Sequence, residues 1–140
     1  MATINPYLNF SGNCEEAFTF YKSVFGGEFD SFSRMGEAPS DGELSASEAN
    51  QIMHVGLPIG HGTTLMGSDR PASMGPTTVG NNYHISIQTD SAAETDRIFN
   101  GLAAGGQVLM PVQETFWNAR FGMLIDKYGV QWMLNEAHQA

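Results

Sequence analysis

An α+β fold built from two similar βαβββ modules is what this 140-residue sequence predicts, and three observations predict it. Strand and helix signals recur in the same order in both halves. The candidate helix starts Asn13 and Ser91 lie 78 residues apart, and the glycine pairs Gly26-Gly27 and Gly105-Gly106 lie 79 apart. Near the module ends Gly62 matches Gly129 and Met66 matches Met133, both at a spacing of 67. Repetition of this kind marks a duplicated supersecondary unit.

The first module opens with an apolar-rich strand over residues 4–10, which Ser11-Gly12 interrupts. Asn13 follows as a helix N-cap, with Glu16 three residues on in capping-box position. Cys14, Ala17, Phe18, Tyr21 and Phe25 recur at helical spacing and predict one buried stripe. Gly26-Gly27 end the helix, because glycine tolerates the left-handed terminal turn. Residues 28–35 alternate only in part, with Phe29 and Phe32 out of phase, and predict a third element of strand type. Residues 36–50 are acidic and rich in small side chains, which predicts a mobile loop. Residues 51–59 and 63–68 are strands flanking Gly60-His61-Gly62, a hairpin signal.

The second module repeats the order. Residues 82–89 form a strand with Tyr83, Ile85 and Ile87 on one side. Ser91 and Glu94 make a second capping box, and Thr95, Ile98, Phe99 and Leu102 a second helical stripe. Residues 107–112, 121–126 and 130–135 are the remaining strands, the last two separated by Lys127-Tyr128-Gly129. Module one thus spans residues 3–68, a Pro- and Gly-bearing linker 69–80, and module two 81–136, all within a single domain. Each module places a helix on one face of a small sheet. Two such sheets side by side are expected to form a cup-shaped mixed sheet with the helices outside, so function becomes a question about cavity-facing side chains.

Composition narrows the partners. Fifteen acidic residues against six basic ones leave a net charge of −9. Nucleic-acid binding needs clustered Lys and Arg to displace counterions, whereas Arg34, Arg70, Arg97 and Arg120 are scattered. Cys14 is the only cysteine, so no intramolecular disulfide can form and a reducing, cytoplasmic setting is the expectation. The N-terminus lacks a signal-peptide pattern. No apolar run approaches the ~20 residues needed to span a bilayer, so no membrane partner is expected.

Local strings carry a more specific resemblance. Asn5-Pro6-Tyr7-Leu8-Asn9-Phe10 leads into Gly12-Asn13-Cys14-Glu15-Glu16-Ala17, and Phe20-Tyr21 precedes Phe25-Gly26-Gly27. Later come Thr115-Phe116-Trp117, Phe121-Gly122-Met123 and the run from Asp126-Lys127-Tyr128-Gly129 to Met133-Leu134-Asn135. Together these resemble the PhnB-like branch of the vicinal-oxygen-chelate superfamily, which also holds glyoxalases, bleomycin-resistance proteins and dioxygenases. Members are often labelled 3-demethylubiquinone-9 3-methyltransferase-like or glyoxalase-like. The methyltransferase label is not inherited here: an S-adenosylmethionine site of Rossmann type needs a Gly-rich turn after a first parallel strand, and none is evident. Fold kinship alone confers no reaction.

The resemblance implies where a metal would sit. Metal-dependent members hold one divalent ion with four side chains, two from each module, through His, Glu or similar donors. One position falls on His84, in Tyr83-His84-Ile85-Ser86. Its counterpart in the first module falls on Asn5 or Pro6, and the two Glu positions fall on Met66 and Met133. Thioethers are poor donors for Mg, Mn, Ni or Zn, so no divalent metal and no cofactor is expected. A displaced site using His54 with His84 is the alternative; hydrogen-bonded histidines are the simpler account.

Asn5, Tyr7, His54, Met66, Ser86, Gln88, Trp117 and Met133 are therefore candidate ligand-cavity residues, and His84 the candidate catalytic group. Trp117 is expected at a cavity rim and Trp132 in the core. His61 and His138 are expected in solvent, and Cys14 as a buried hydrophobe. The expected function is metal-free binding of an unknown small molecule. The alternative is a lyase, isomerase or dioxygenase-type enzyme using His84 as base, since imidazole titrates near neutrality. Pairing of subunits is common in the superfamily, so a homodimer is expected.

Overall fold

A computed structural model describes residues 2–37, 44–117 and 119–137. Its chain forms two compact units, Met1–Thr78 and Val79–Ala140. The first contains β1 (Tyr7–Phe10), α1 (Cys14–Phe25), β2 (Ser31–Arg34), α2 (Ala46–Asn50), β3 (Ile52–Gly60) and β4 (Thr63–Asp69). The second contains β5 (Ile85–Gln88), α3 (Ala92–Ala103), β6 (Gln107–Glu114), β7 (Ala119–Ile125) and β8 (Gln131–Ala137). Each unit holds a four-stranded mixed sheet, ordered β1-β4-β3-β2 in one and β5-β8-β7-β6 in the other. In each, the opening strand runs parallel to the last and the other pairs are antiparallel. The α+β class and the repeated βαβββ order are thus both present.

In the first unit α1 buries Cys14, Ala17, Phe18, Tyr21 and Val24. Val24 ends the stripe, and Phe25, expected there, is only half-buried. Phe18 meets Phe10 and Tyr21 edge-on, at ring separations of 6.2 and 5.5 Å. It also lies directly on β4: a Cβ at Gly67 would stand 2.6 Å from the Phe18 ring and 3.0 Å from the Leu8 carbonyl. Glycine is what lets the helix approach the sheet this closely. In the second unit α3 buries Thr95, Ile98, Phe99 and Leu102, as expected. There a Cβ at Gly122 would stand 2.8 Å from the Phe99 ring, so the device is repeated.

The helix starts differ from expectation. Asn13 makes no side-chain cap to α1. Buried Asp69 does that work from the end of β4, accepting from the backbone N–H groups of Gly12, Cys14 and Ile52 at 2.9, 3.0 and 2.8 Å. A full carboxylate takes three orphan donors where Asn13 would take one. Asp69 therefore belongs to the core and not to a linker. At α3, Ser91 accepts from Glu94 N–H at 3.1 Å, but the Glu94 carboxylate takes Asp90 N–H, one residue earlier than a capping box requires. A complete box occurs instead between Ser45 and Glu48, and it starts α2 inside the segment expected to be an irregular loop. Residues 38–43 of that segment lie outside the described residues.

The helix ends also diverge. Gly26 caps α1 at φ +80°, whereas Ala104 caps α3 and Gly105 follows at φ +78°. Trp132 is buried and donates its indole N–H to Asp126 at 2.8 Å. Asp126 also accepts from Tyr128 and Val130, closing the β7–β8 turn around one carboxylate. Cys14 is fully buried, and burial, with the nearby Asp69 charge, pushes its thiol well above the ordinary range. It acts as a small core hydrophobe, as expected.

Candidate functional site

In both units the helix covers one sheet face, so the opposite face is where chemistry can be presented. Direct cross-strand partners project to the same side. In the first unit the central row of that open face runs Tyr7, Met66, Gly56 and Ser31 across β1, β4, β3 and β2. Three expected cavity residues meet here. The Tyr7 hydroxyl lies 3.4 Å from His54 Nδ1, and their rings are 5.8 Å apart. Met66 is half-buried beside Tyr7, which keeps 44% of its surface exposed. Asp30 and Ser31 fill the space above Gly56, where a Cβ would stand 2.5 Å from Asp30 Oδ1. Asn5 is engaged already: its side-chain oxygen accepts from Thr64 N–H at 2.9 Å, extending the β1–β4 pairing by one bond.

In the second unit the equivalent row is Ser86, Met133, Met123 and Met110 across β5, β8, β7 and β6. The next row is Gln88, Asn135, Phe121 and Gln113, in which Asn135 Nδ2 donates to Gln88 Oε1 at 3.3 Å. Trp117, half-exposed in the β6–β7 connection, stacks edge-on against Phe121 at 5.6 Å. The expected residues Ser86, Gln88, Met133 and Trp117 thus share one surface. Reading the sequence missed Met110, Met123, Phe121 and Asn135. Strand alternation through β7 and β8 marks the last three; Met110 is hidden by bulges in β6 on either side of it.

His84 sits one residue ahead of β5 and two before Ser86. The residue is half-buried, but its Nε2 is sealed from solvent and has no hydrogen-bond partner among the described residues. A buried polar atom in that state costs about 1–3 kcal/mol, so it is a group with capacity left for a ligand. His61, at the β3–β4 tip with φ +52°, is exposed, while His138 lies outside the described residues.

The donor set does not suit a hard divalent ion. No group of three or more His, Cys, Asp or Glu side chains stands together among the described residues. Met66 and Met133 occupy the centres of their rows, and thioethers do not compete for Mg or Mn.

The repeated βαβββ topology is a fold shared with proteins described as glyoxalase/bleomycin resistance protein/dioxygenase. The chain belongs to the family described as 3-demethylubiquinone-9 3-methyltransferase, whose model matches residues 2–135. It is 33% identical to protein YjdN of Escherichia coli (strain K12), over 97% of this chain and 96% of that one. Among solved structures, protein PA1353 from Pseudomonas aeruginosa is 40% identical, covering 99% of this chain and 100% of its own, with a TM-score of 0.86. A putative 3-demethylubiquinone-9 3-methyltransferase, PhnB protein, from Bacillus cereus is 29% identical over 97% of this chain and 100% of its own, with a TM-score of 0.70. The wider superfamily enters through fold alone: a glyoxalase/bleomycin resistance protein/dioxygenase family enzyme from Burkholderia phytofirmans PsJN superposes with a TM-score of 0.60 at 18% identity, over 94% and 97% of the two chains. No described helix is long and apolar enough to cross a membrane.

Proposed function

We propose that this protein binds a small organic molecule on the open sheet faces and does so without a divalent ion. The observation that carries the reading is the composition of the matched rows. Met66 and Met133 stand at their centres with Tyr7, His54, Ser86 and Gln88 beside them, and a single carboxylate, that of Asp30 over Gly56, is too few to hold a hard ion. Thioether and aromatic surface with a few polar groups favours organic ligands over hard cations. The methyltransferase name of the family is not extended to an activity here. The backbone donors at the start of α1, which a cofactor phosphate or carboxylate would need, already bind Asp69. A thermal-shift screen of organic compounds in excess chelator tests the proposal. A ligand at 100 times its Kd adds about 2.7 kcal/mol and raises the midpoint by several degrees. Stabilisation or turnover that appears only after Mn, Ni, Zn or Mg is added ends it.

A second reading rests on His84. Its buried Nε2, without a hydrogen-bond partner among the described residues, supports a role in taking a proton from a bound ligand, as a lyase or isomerase requires. His84→Gln would then abolish turnover of a substrate while leaving its binding within a few-fold; equal turnover by both proteins removes the reading. We also propose a homodimer, for which light scattering should return twice the chain mass of 15.2 kDa.

A further inference from the structure

The second unit carries three methionines in one transverse row: Met110 pairs with Met123, and Met123 with Met133, across three adjacent strands. None of the three is sealed in the core; each is half-buried on the face opposite α3. The repeat itself does not demand them. In the first unit the same row needs only Met66, and Gly56 and Ser31 stand where Met123 and Met110 stand in the second. We infer that this row is a binding site for a soft monovalent cation, Cu(I), with His84, two residues before the Met133 partner Ser86, as a supplementary nitrogen donor.

Spacing and chemistry support the assignment. Adjacent strands lie ~4.8 Å apart, and two sulfurs sharing one ion through bonds of ~2.3 Å lie about 4 Å from each other. Neighbouring methionines in a row can therefore share an ion through side-chain rotation alone. Thioethers select Cu(I) and reject Mg, Mn and Ca, which want oxygen. Close to Met133 the row and its neighbour carry Ser86, Gln88 and Asn135, none of them cationic, and the chain's charge of −9 favours a cation. His84 Nε2 is buried with its capacity unused among the described residues. The flanking Trp117–Phe121 stack supplies a fluorescent reporter, whereas the other tryptophan, Trp132, is buried against Asp126.

Competition against a chromogenic Cu(I) chelator, under anaerobic reducing conditions, tests the site on the full chain. The natural protein should withdraw one Cu(I) per chain, and Ag(I) should quench Trp117 with the same stoichiometry. Met123→Leu/Met133→Leu, which preserves volume, should weaken binding by roughly 100-fold, and His84→Gln by roughly 10-fold. Met74→Leu, at an exposed position in the first unit, should leave Cu(I) withdrawal unchanged. Each variant is compared in the natural and the Cys14→Ala backgrounds, so the thiol cannot be mistaken for the site and a background that fails to fold leaves the other readable. Failure of the natural protein to withdraw Cu(I), or undiminished withdrawal by Met123→Leu/Met133→Leu, overturns the inference. Either result leaves organic-ligand binding, tested in chelator, untouched.

Discussion

In the first unit the start of α1 is held by Asp69, a residue 55 positions further along the chain, whereas in the second the start of α3 is held by Ser91 immediately before it. The open faces diverge as well. Tyr7, Met66, Gly56 and Ser31 make a mixed aromatic and polar row, while Ser86, Met133, Met123 and Met110 make a thioether row. Topology, helix burial and the glycine beneath each core phenylalanine are common to both units. What duplication preserves is the contact of helix with sheet. What it leaves free is the opposite face and the manner of closing each helix end.

The largest expected effect breaks the comparison at the helix starts. Asp69→Ala strands three backbone donors, two at the start of α1 and one at Ile52, and should cost about 3–5 kcal/mol. Ser91→Ala removes one neutral cap and should cost about 1 kcal/mol. Urea midpoints of the two variants measure both. Equal shifts would show that Asp69 is no stronger an anchor than an ordinary cap.

A second pair should agree between the units. Gly67→Ala drives a methyl group into Phe18, and Gly122→Ala drives one into Phe99 and Val112. Each should lose about 1–3 kcal/mol by thermal or urea denaturation. A large loss in one and none in the other would mean that the two helix–sheet contacts are not equivalent.

These residues also show what was legible in the amino-acid order. Helices α1 and α3 and most of their buried stripes were, because spacing of 3.6 is local and Phe18, Tyr21, Phe99 and Leu102 follow it, whereas the short α2 was not. The strands were legible in number and order but not in length: β1 and β5 keep only four residues each, since pairing partners, not propensity, decide where a strand begins. Asp69 was read as the first residue of a linker, because nothing local reveals that its carboxylate turns back to α1. Met66, Met133 and His84 came from the repeat and the family resemblance. Met110 stayed invisible because bulges on both sides of it break the alternation.

Smaller changes sharpen the contrast of the faces. Met66→Leu, Met123→Leu and Met133→Leu conserve volume at half-buried positions, and each should shift stability by less than about 1.5 kcal/mol. If function resides in the thioethers, these variants lose binding while their unfolding midpoints hardly move. A midpoint loss as large as that of the glycine variants would assign the row to packing.

The smallest expected effect lies at the surface, where the units differ once more. Glu15 on α1 grips Arg34 of β2 through two bonds of 2.9 Å, and Arg34 also donates to the Asn50 carbonyl at 2.8 Å. In the second unit Arg120 donates to Asp96 of α3 at 2.9 Å, and its separation from Glu136 is 4.0 Å. The hydrogen bonds from Arg34 hold the Glu15 carboxyl below its ordinary value, with attraction to the guanidinium adding and partial desolvation opposing. A carboxyl lowered in the folded state contributes stability that is full above its unfolded value, here near 4.5, and is lost as pH falls through the lowered folded value. The natural protein should therefore exceed Glu15→Gln in melting temperature by a small, constant margin at neutral pH. That margin should close only below pH 4.5, and it should shrink in high salt because the pair is exposed. A margin that widens on acidification would contradict the direction of the shift and would detach Arg34 from its role in tying β2 to α1.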